Sequence, residues 1–505
     1  MLNFLNSKIG LICFYLLFLL DRLNTFLRFS IEYTDSDQAV MWQMTKDLSN
    51  GIFHGPYFYG QSYNPIIEST LAVPLYWITG NLAFSLPLVT LALSTLPVLL
   101  LTHFFFKVHG PLLGVVPLLI SLLLSQEYLM LASIPRGFVT GIFFGIIALF
   151  FWYKNNTKPF NKVTALLSGI SLGFAFYCNL NCVLLLPLFL LPLSNFTRNL
   201  RTPIITFIVG FSIGIIPILL SAFYYSIHPE LTIHSSPMLT LSTAAFQSII
   251  NNLSSYFDFV TPIFWRGGWI TLVLLFPLIY WLNKRDKLAA IVTLITILIV
   301  FLSFFSVKVS DGTNSVFFAG ARMYLAYPFI IIVLSIALLQ TFSDRLKKQI
   351  TLCLSVTAIV SLMIKVSLFN SLTSHALRGS KNSVVEVMKV DQLKQTCEKY
   401  LAFSQRRTTL IMAIEASSKE QIINYGCQCL LDDFPITIMP AYERRTWLMS
   451  EYDKTRFDTV ALYGFKKLPN NFSYNIIEYD SSMGLILIDG NQSSFSEIVE
   501  EFIKN

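Results

Sequence analysis

The sequence predicts a polytopic α-helical membrane protein that ends in an α/β domain outside the bilayer, and three observations predict it. Of its 505 residues, 54% are hydrophobic and only 13% charged, with mean hydropathy +0.61; a soluble chain carries about 25% charged residues. Apolar segments recur along the first 369 residues, about eleven in all, each a candidate span. The composition then changes, because the last 136 residues hold 15 Lys/Arg and 17 Asp/Glu and no run long enough to cross a bilayer. The net charge of +7 is dispersed among short loops and forms no basic stripe, so nucleic acid is not an expected partner.

The first apolar segment runs from Ile9 to Leu20 behind Lys8, is interrupted by Asp21 and Arg22, and resumes to Phe29. No small-residue cleavage site follows, which predicts an uncleaved anchor helix. Its uninterrupted run is short for a span, so Asp21 and Arg22 must face protein or lie near an interface. A polar stretch follows, Tyr33 to Pro74, with Asp35, Asp37, Asp47 and Glu68, four of the twelve acidic residues before position 370. Carboxylates beside hydrocarbon are expensive unless solvated, paired or used.

Ten further apolar segments are expected near 81–106, 111–126, 137–153, 163–177, 180–194, 203–226, 263–282, 288–306, 322–341 and 350–369. The two around Tyr177-Cys178-Asn179 are short enough to form one kinked or re-entrant hairpin. Lys107, Lys154/Lys158/Lys162, Arg198/Arg201, Lys284/Arg285/Lys287 and Arg345/Lys347/Lys348 fall in every second connection. By the positive-inside rule those loops are cytoplasmic, which places the N-terminus inside and the acidic loop outside. The expected organisation is therefore residues 1–369 as a transmembrane domain, carrying the first outer loop at 30–80, and 370–505 as an extracytoplasmic domain. In the latter, strands at 408–414, 436–439, 459–463 and 484–488 with a helix at 419–431 predict a small α/β unit with a partly parallel sheet. Seven cysteines show no CxxC spacing. Free thiols are the expected state, with a disulfide among Cys397, Cys427 and Cys429 open to that domain if it is outside the cytosol.

Within the acidic loop, Thr34 or Asp35 stands where a helix N-cap would be, with Val40, Met44 and Leu48 on one face and Asn50-Gly51 as a stop. Asp37 then falls in the first turn, where the helix dipole favours the ionised form. An ionised carboxylate at a wet membrane face can take a proton from a hydroxyl, so Asp35 and Asp37 are both candidates for a general base. Tyr57-Phe58-Tyr59-Gly60-Gln61, continuing to Tyr63, mixes aromatic rings with a glycine and an amide, a composition suited to a sugar face or an isoprenoid chain. Arg322, in the run GARMYLAYP, and Arg136 are placed to hold a phosphate oxygen, with Arg266 and Lys308 weaker versions of the same idea. Glu68 with His228 or His234 is the expected pair if a divalent metal is held.

The paired acids after the first helix, the run YFYGQSYNPIIES, the many spans, the Arg-x-Tyr-Leu entry to a late span and the α/β tail together resemble the membrane-embedded C-type glycosyltransferases, in particular the protein-mannosyltransferase and aminoarabinose-transferase-like group. The resemblance covers about residues 1–369. It implies transfer of a sugar, with inversion, from a polyprenyl-phosphate carrier to a lipid, glycan or protein acceptor on the outer face of the cytoplasmic membrane. It further implies Asp35 or Asp37 as the base, Asp-Ser-Asp standing where relatives have Asp-Glu; Glu68 as the second loop acid, with His234 as its partner if a metal is held; and Arg322 as a phosphate partner. The contrasting reading is a transporter or lipid flippase, whose mark is charged or broken helices within the bilayer and repeated halves. No internal repeat is found, and the apolar segments carry few charges.

Overall fold

The computed structural model describes residues 7–156, 161–195, 201–234, 240–258, 267–307, 309, 319–378, 387–404, 409–414, 417–435, 437–452, 456–464, 475–480, 484–494 and 497–498. In chain order its helices are α1 (Lys8–Thr25), α2 (Ser36–Ser49), α3 (Ile67–Thr79), α4 (Leu82–His109), α5 (Pro111–Gly114), α6 (Val116–Leu123), α7 (Gln126–Ser133), α8 (Phe138–Asn156), α9 (Lys162–Cys178), α10 (Arg201–Gly214), α11 (Ile216–Ile227), α12 (Thr243–Asn251), α13 (Leu253–Asp258), α14 (Gly268–Arg285), α15 (Lys287–Ser303), α16 (Tyr327–Gln340), α17 (Asp344–Ser367), α18 (Phe369–Arg378), α19 (Val390–Ser404), α20 (Ser418–Leu430) and α21 (Thr446–Tyr452). The strands are β1 (Tyr33–Thr34), β2 (Gly60–Gln61), β3 (Thr232–His234), β4 (Met388–Lys389), β5 (Thr409–Ala413), β6 (Thr437–Ile438), β7 (Arg456–Tyr463), β8 (Ile476–Asp480) and β9 (Leu485–Ser494). The 3₁₀ runs include Leu180–Asn195 and Ala319–Ala326.

The described residues of the eleven apolar segments fall mostly on these helices or 3₁₀ runs. Among the described residues, six helices are long and apolar enough to cross a membrane, from Lys8–Ser30 to Asp344–Ser367. A seventh is reached if Pro111–Leu123 and Gln126–Ser133, bent by 95°, count as one span. Segments such as Lys162–Cys178 and Lys287–Ser303 are apolar but shorter, so among the described residues length and composition alone support six or seven spans.

The chain divides into two compact units, and the division differs from the expected one. One unit comprises 1–29, 90–219 and 237–383; the other comprises 30–89, 220–236 and 384–505. The boundary expected near 370 lies at 383/384, and the acidic loop groups with the C-terminal residues, because helix packing and sheet pairing gather those segments across the sequence.

In the first unit, Gly169 and Gly173 on α9 face Gly210 and Gly214 on α10. A Cβ at Gly169 would overlap the Phe207 carbonyl, and one at Gly173 would come 2.6 Å from the Phe211 carbonyl. These two glycine pairs, each spaced four residues apart, let the helix backbones touch, the small-residue packing used where lipid offers no competing hydrophobic drive. Asp21 and Arg22 are buried, and Asp21 Oδ2 accepts from Lys365 Nζ of α17 at 2.7 Å with both side chains fully enclosed. Of the two expected placements, facing protein or lying near an interface, both residues take the first. An apolar cavity of about 340 Å³ lies among α14, α15 and α16, lined by Leu275, Ile297, Val300, Ile331 and Leu334, with Tyr327 at its wall.

In the second unit, five strands form one sheet in the order β6-β5-β7-β9-β8. β5 pairs parallel with β6 and β7, whereas β9 pairs antiparallel with β7 and β8. Leu410, Met412, Val460, Leu462, Ile486 and Ile488 bury one core against it. The partly parallel sheet is as expected; β8 is an addition, missed because its exposed residues carry no buried alternation. Cys397 and Cys427 form a disulfide that joins α19 to α20, with Cα atoms 5.3 Å apart. Free thiols were the expected state, and the bridge corrects it: thirty residues separate the two in sequence, so only tertiary folding brings them within range.

Candidate functional site

The acidic loop builds its site from a helix start. Asp35 is the N-cap of α2 and its carboxylate accepts the Gln38 amide at 2.9 Å. It is fully buried, with extended backbone, so one orphan N–H of the first turn is satisfied inside the protein. Asp37 lies one step further, in the first turn, and keeps 29% of its side chain accessible. The helix then ends as expected, with Asn50 at the C-cap and Gly51 at φ 76°. Identical chemistry thus has two fates, a buried cap and a reachable carboxylate.

Asp37 Oδ1 pairs with Nη2 of Arg444 at 3.1 Å. Arg444 is 7% exposed at its side chain, and its guanidinium lies over the rings of Phe58 at 5.0 Å and Tyr442 at 5.4 Å. Burial works against its charge, but Asp37 and then Tyr425, Tyr442 and Tyr63 outweigh it and hold the guanidinium above its ordinary range. Sequence reasoning missed this residue. The available signal was the run Glu443-Arg444-Arg445 inside an otherwise apolar and aromatic stretch, where three adjacent charges need internal partners.

Those partners are present. Glu443 accepts from Arg445 Nε at 2.8 Å, from Arg445 Nη2 at 3.0 Å, from the Met439 amide at 3.2 Å and from Asn424 Nδ2 at 3.1 Å. Arg445 also donates to the Thr437 carbonyl and to Gln428 Oε1. The Arg444 amide donates to the Tyr425 hydroxyl at 3.1 Å, so main chain and neighbours are tied before the guanidinium reaches out.

The run after α2 folds back on itself. Tyr57 bridges Pro65, the Phe58 amide donates to the Asn64 carbonyl, and Asn64 adopts φ 71°. Gly60 has φ 72°, and a Cβ there would sit 3.2 Å from the Cα, Cβ and O of Arg444, so a glycine is needed both for the left-handed backbone and for the approach. Gln61 pairs through its backbone with His234, in the short parallel ladder of β2 and β3. Tyr59 is buried; its hydroxyl donates to Asp47 Oδ2 at 2.8 Å, and its ring meets the edges of His54 and Trp447, which stack on each other at 3.6 Å. Burial and then Asp47 push the Tyr59 phenol well up. Tyr59 thus belongs to the loop's interior, and Asp47 is bound by it and by Gln43. Tyr63 is half-buried near Arg444.

Glu68 stands in the first turn of α3 and is fully buried. The side chain of His234 lies outside the described residues, and among the described residues no three His, Cys, Asp or Glu side chains gather as a metal site. Arg136 and Arg322 belong to the first unit. Arg136 is buried between α7 and α8, and Arg322 lies over the Phe138 ring at 5.3 Å. Arg266 and Lys308 lie outside the described residues.

No protein-family model and no curated protein matches the chain. Solved structures do. The crystal structure of ArnT from Cupriavidus metallidurans in the apo state is similar at TM-score 0.58 and 12% identity, over 94% of this chain and 97% of that one. ArnT from the same organism bound to undecaprenyl phosphate is similar at TM-score 0.59 and 11% identity, over 96% and 98%. At such identity the likeness speaks for architecture alone: the chain has the fold of ArnT.

Proposed function

We propose that this protein is a polyprenyl-phosphate-sugar-dependent glycosyltransferase of the cytoplasmic membrane, with the acidic loop and C-terminal domain on the outer face. The observation that carries the reading is the likeness over nearly the whole chain to a structure bound to undecaprenyl phosphate. Two features of the molecule support it. Asp37 is an accessible carboxylate in a helix first turn, beside a fixed cation. The apolar cavity among α14, α15 and α16 suits a prenyl chain.

In this reading an acceptor hydroxyl attacks the anomeric carbon while Asp37 takes its proton. The bond from that carbon to the phosphate oxygen breaks on the opposite side, the polyprenyl phosphate leaves with the electron pair, and the configuration inverts. Arg322 keeps the phosphate-binding role that the family resemblance implies, with help from Arg136. The eleven-span, N-terminus-inside topology is part of the same proposal, resting on the alternating charge of the connections.

The purified protein incubated with a panel of labelled polyprenyl-phosphate sugars and membrane-lipid, glycan and peptide acceptors should transfer label from one donor. Asp37→Asn should abolish that transfer while leaving expression and the Cys397–Cys427 bridge intact. Wild-type turnover in Asp37→Asn would overturn the base assignment.

A further inference from the structure

We propose that Arg444, from the C-terminal part of the chain, is a positioning residue of the transfer reaction, holding the Asp37 carboxylate in place. The proposal rests on the reading of Asp37 as the base and extends it to a domain to which the reading gave no role. Three observations carry it. The two groups meet at 3.1 Å although 407 positions separate them in sequence. Arg444 is enclosed to 7% exposure while its partner stays accessible, so the pair presents its carboxylate outward and its guanidinium inward. The approach is built from several sides: the Tyr425 hydroxyl holds the Arg444 amide, Glu443 and Arg445 lock the flanking residues, and Gly60 leaves room for the Arg444 main chain.

A chain seeking only to tie a loop to a domain has cheaper means. Lys46 does so at the other end of α2, donating to the Gln428 carbonyl at 2.8 Å and to the exposed Asp432. Burying an arginine is costly unless its charge is matched, and here the match is an acid that itself reaches solvent. Planar guanidinium geometry fixes a carboxylate's direction, which an ammonium does less well. Small misplacement of a reacting group costs on the order of 100-fold in rate.

Kinetics with the active donor test this directly. Arg444→Ala should lower kcat about 100-fold and leave the donor KM within about twofold, since uniform binding is untouched. Arg444→Lys should recover part of the loss, and guanidinium ion added to Arg444→Ala should restore part of kcat, with no such rescue of Asp37→Asn. If Arg444→Ala does not accumulate with its disulfide formed, the same split is read on Arg444→Lys and Arg444→Gln, with Lys expected to retain more kcat than Gln. Wild-type kcat in these variants, a loss confined to KM, or a kcat loss that neither Lys nor guanidinium relieves would overturn the positioning role. Activity retained by Asp37→Asn would instead sink the base reading, whatever Arg444 does.

Discussion

Asp35 and Asp37 stand two residues apart, and the structure separates them by burial rather than by chemistry. Asp35 accepts the Gln38 amide as a fully enclosed cap. Its replacement should therefore follow capping rules: Asp35→Ala should cost about 1 kcal/mol of unfolding free energy, and Asp35→Asn much less, since Asn caps nearly as well. Thermal unfolding of the two variants checks the order. Transfer should survive Asp35→Asn far better than Asp37→Asn, which divides a pair the sequence left equivalent. The cap and the helix stop were legible because both depend on local backbone needs. Which acid is exposed was not, because burial is set by neighbours distant in sequence.

At the scale of elements, the acidic helix is held by a platform. α2 packs on α20, where a Cβ at Gly426 would lie 3.8 Å from Ala39 and 2.7 Å from Leu393 of α19. The Cys397–Cys427 bridge fastens α19 to α20 behind it. Closing a loop of this length removes about 3 to 4 kcal/mol worth of unfolded-state freedom. Reduction, or Cys397→Ala/Cys427→Ala, should thus lower the denaturant midpoint of the second unit, and sugar transfer should fall with it. Hydrogen exchange localised to α19 and α20 would show whether the loosened region is the one named. The apolar runs of β5 and β7 could be read from sequence, since Leu410 to Ala413 and Thr459 to Tyr463 are enclosed on both faces. The bridge could not, as spacing alone never selects a cysteine's partner.

For the whole molecule, the main surprise is that one compact unit is assembled from residues 30–89, 220–236 and 384–505. A chain ended after Ser383 would lack β4, α19, α20 and Arg444, leaving β1 without its antiparallel partner and α2 without its packing surface. Residues 30–89 of that truncated protein should become sensitive to protease while α1 and α17, joined by the enclosed Asp21–Lys365 pair, stay protected. Limited proteolysis in detergent, mapped by mass spectrometry, measures the difference; equal protection of 30–89 in both chains would contradict the observed grouping.

Sequence by itself determined the membrane class, the order of apolar segments, the α/β character of the tail and the start and stop of the acidic helix. These depend on composition and on contacts within a few residues, which hydropathy and backbone propensity report directly. Tertiary structure alone decided that Asp37 and not Asp35 is accessible, that Tyr59 serves Asp47, that Glu68 is enclosed and that Arg444 meets the loop. Each depends on which distant segments pack together, and pairing energy between residues hundreds of positions apart leaves no periodic trace in a single chain.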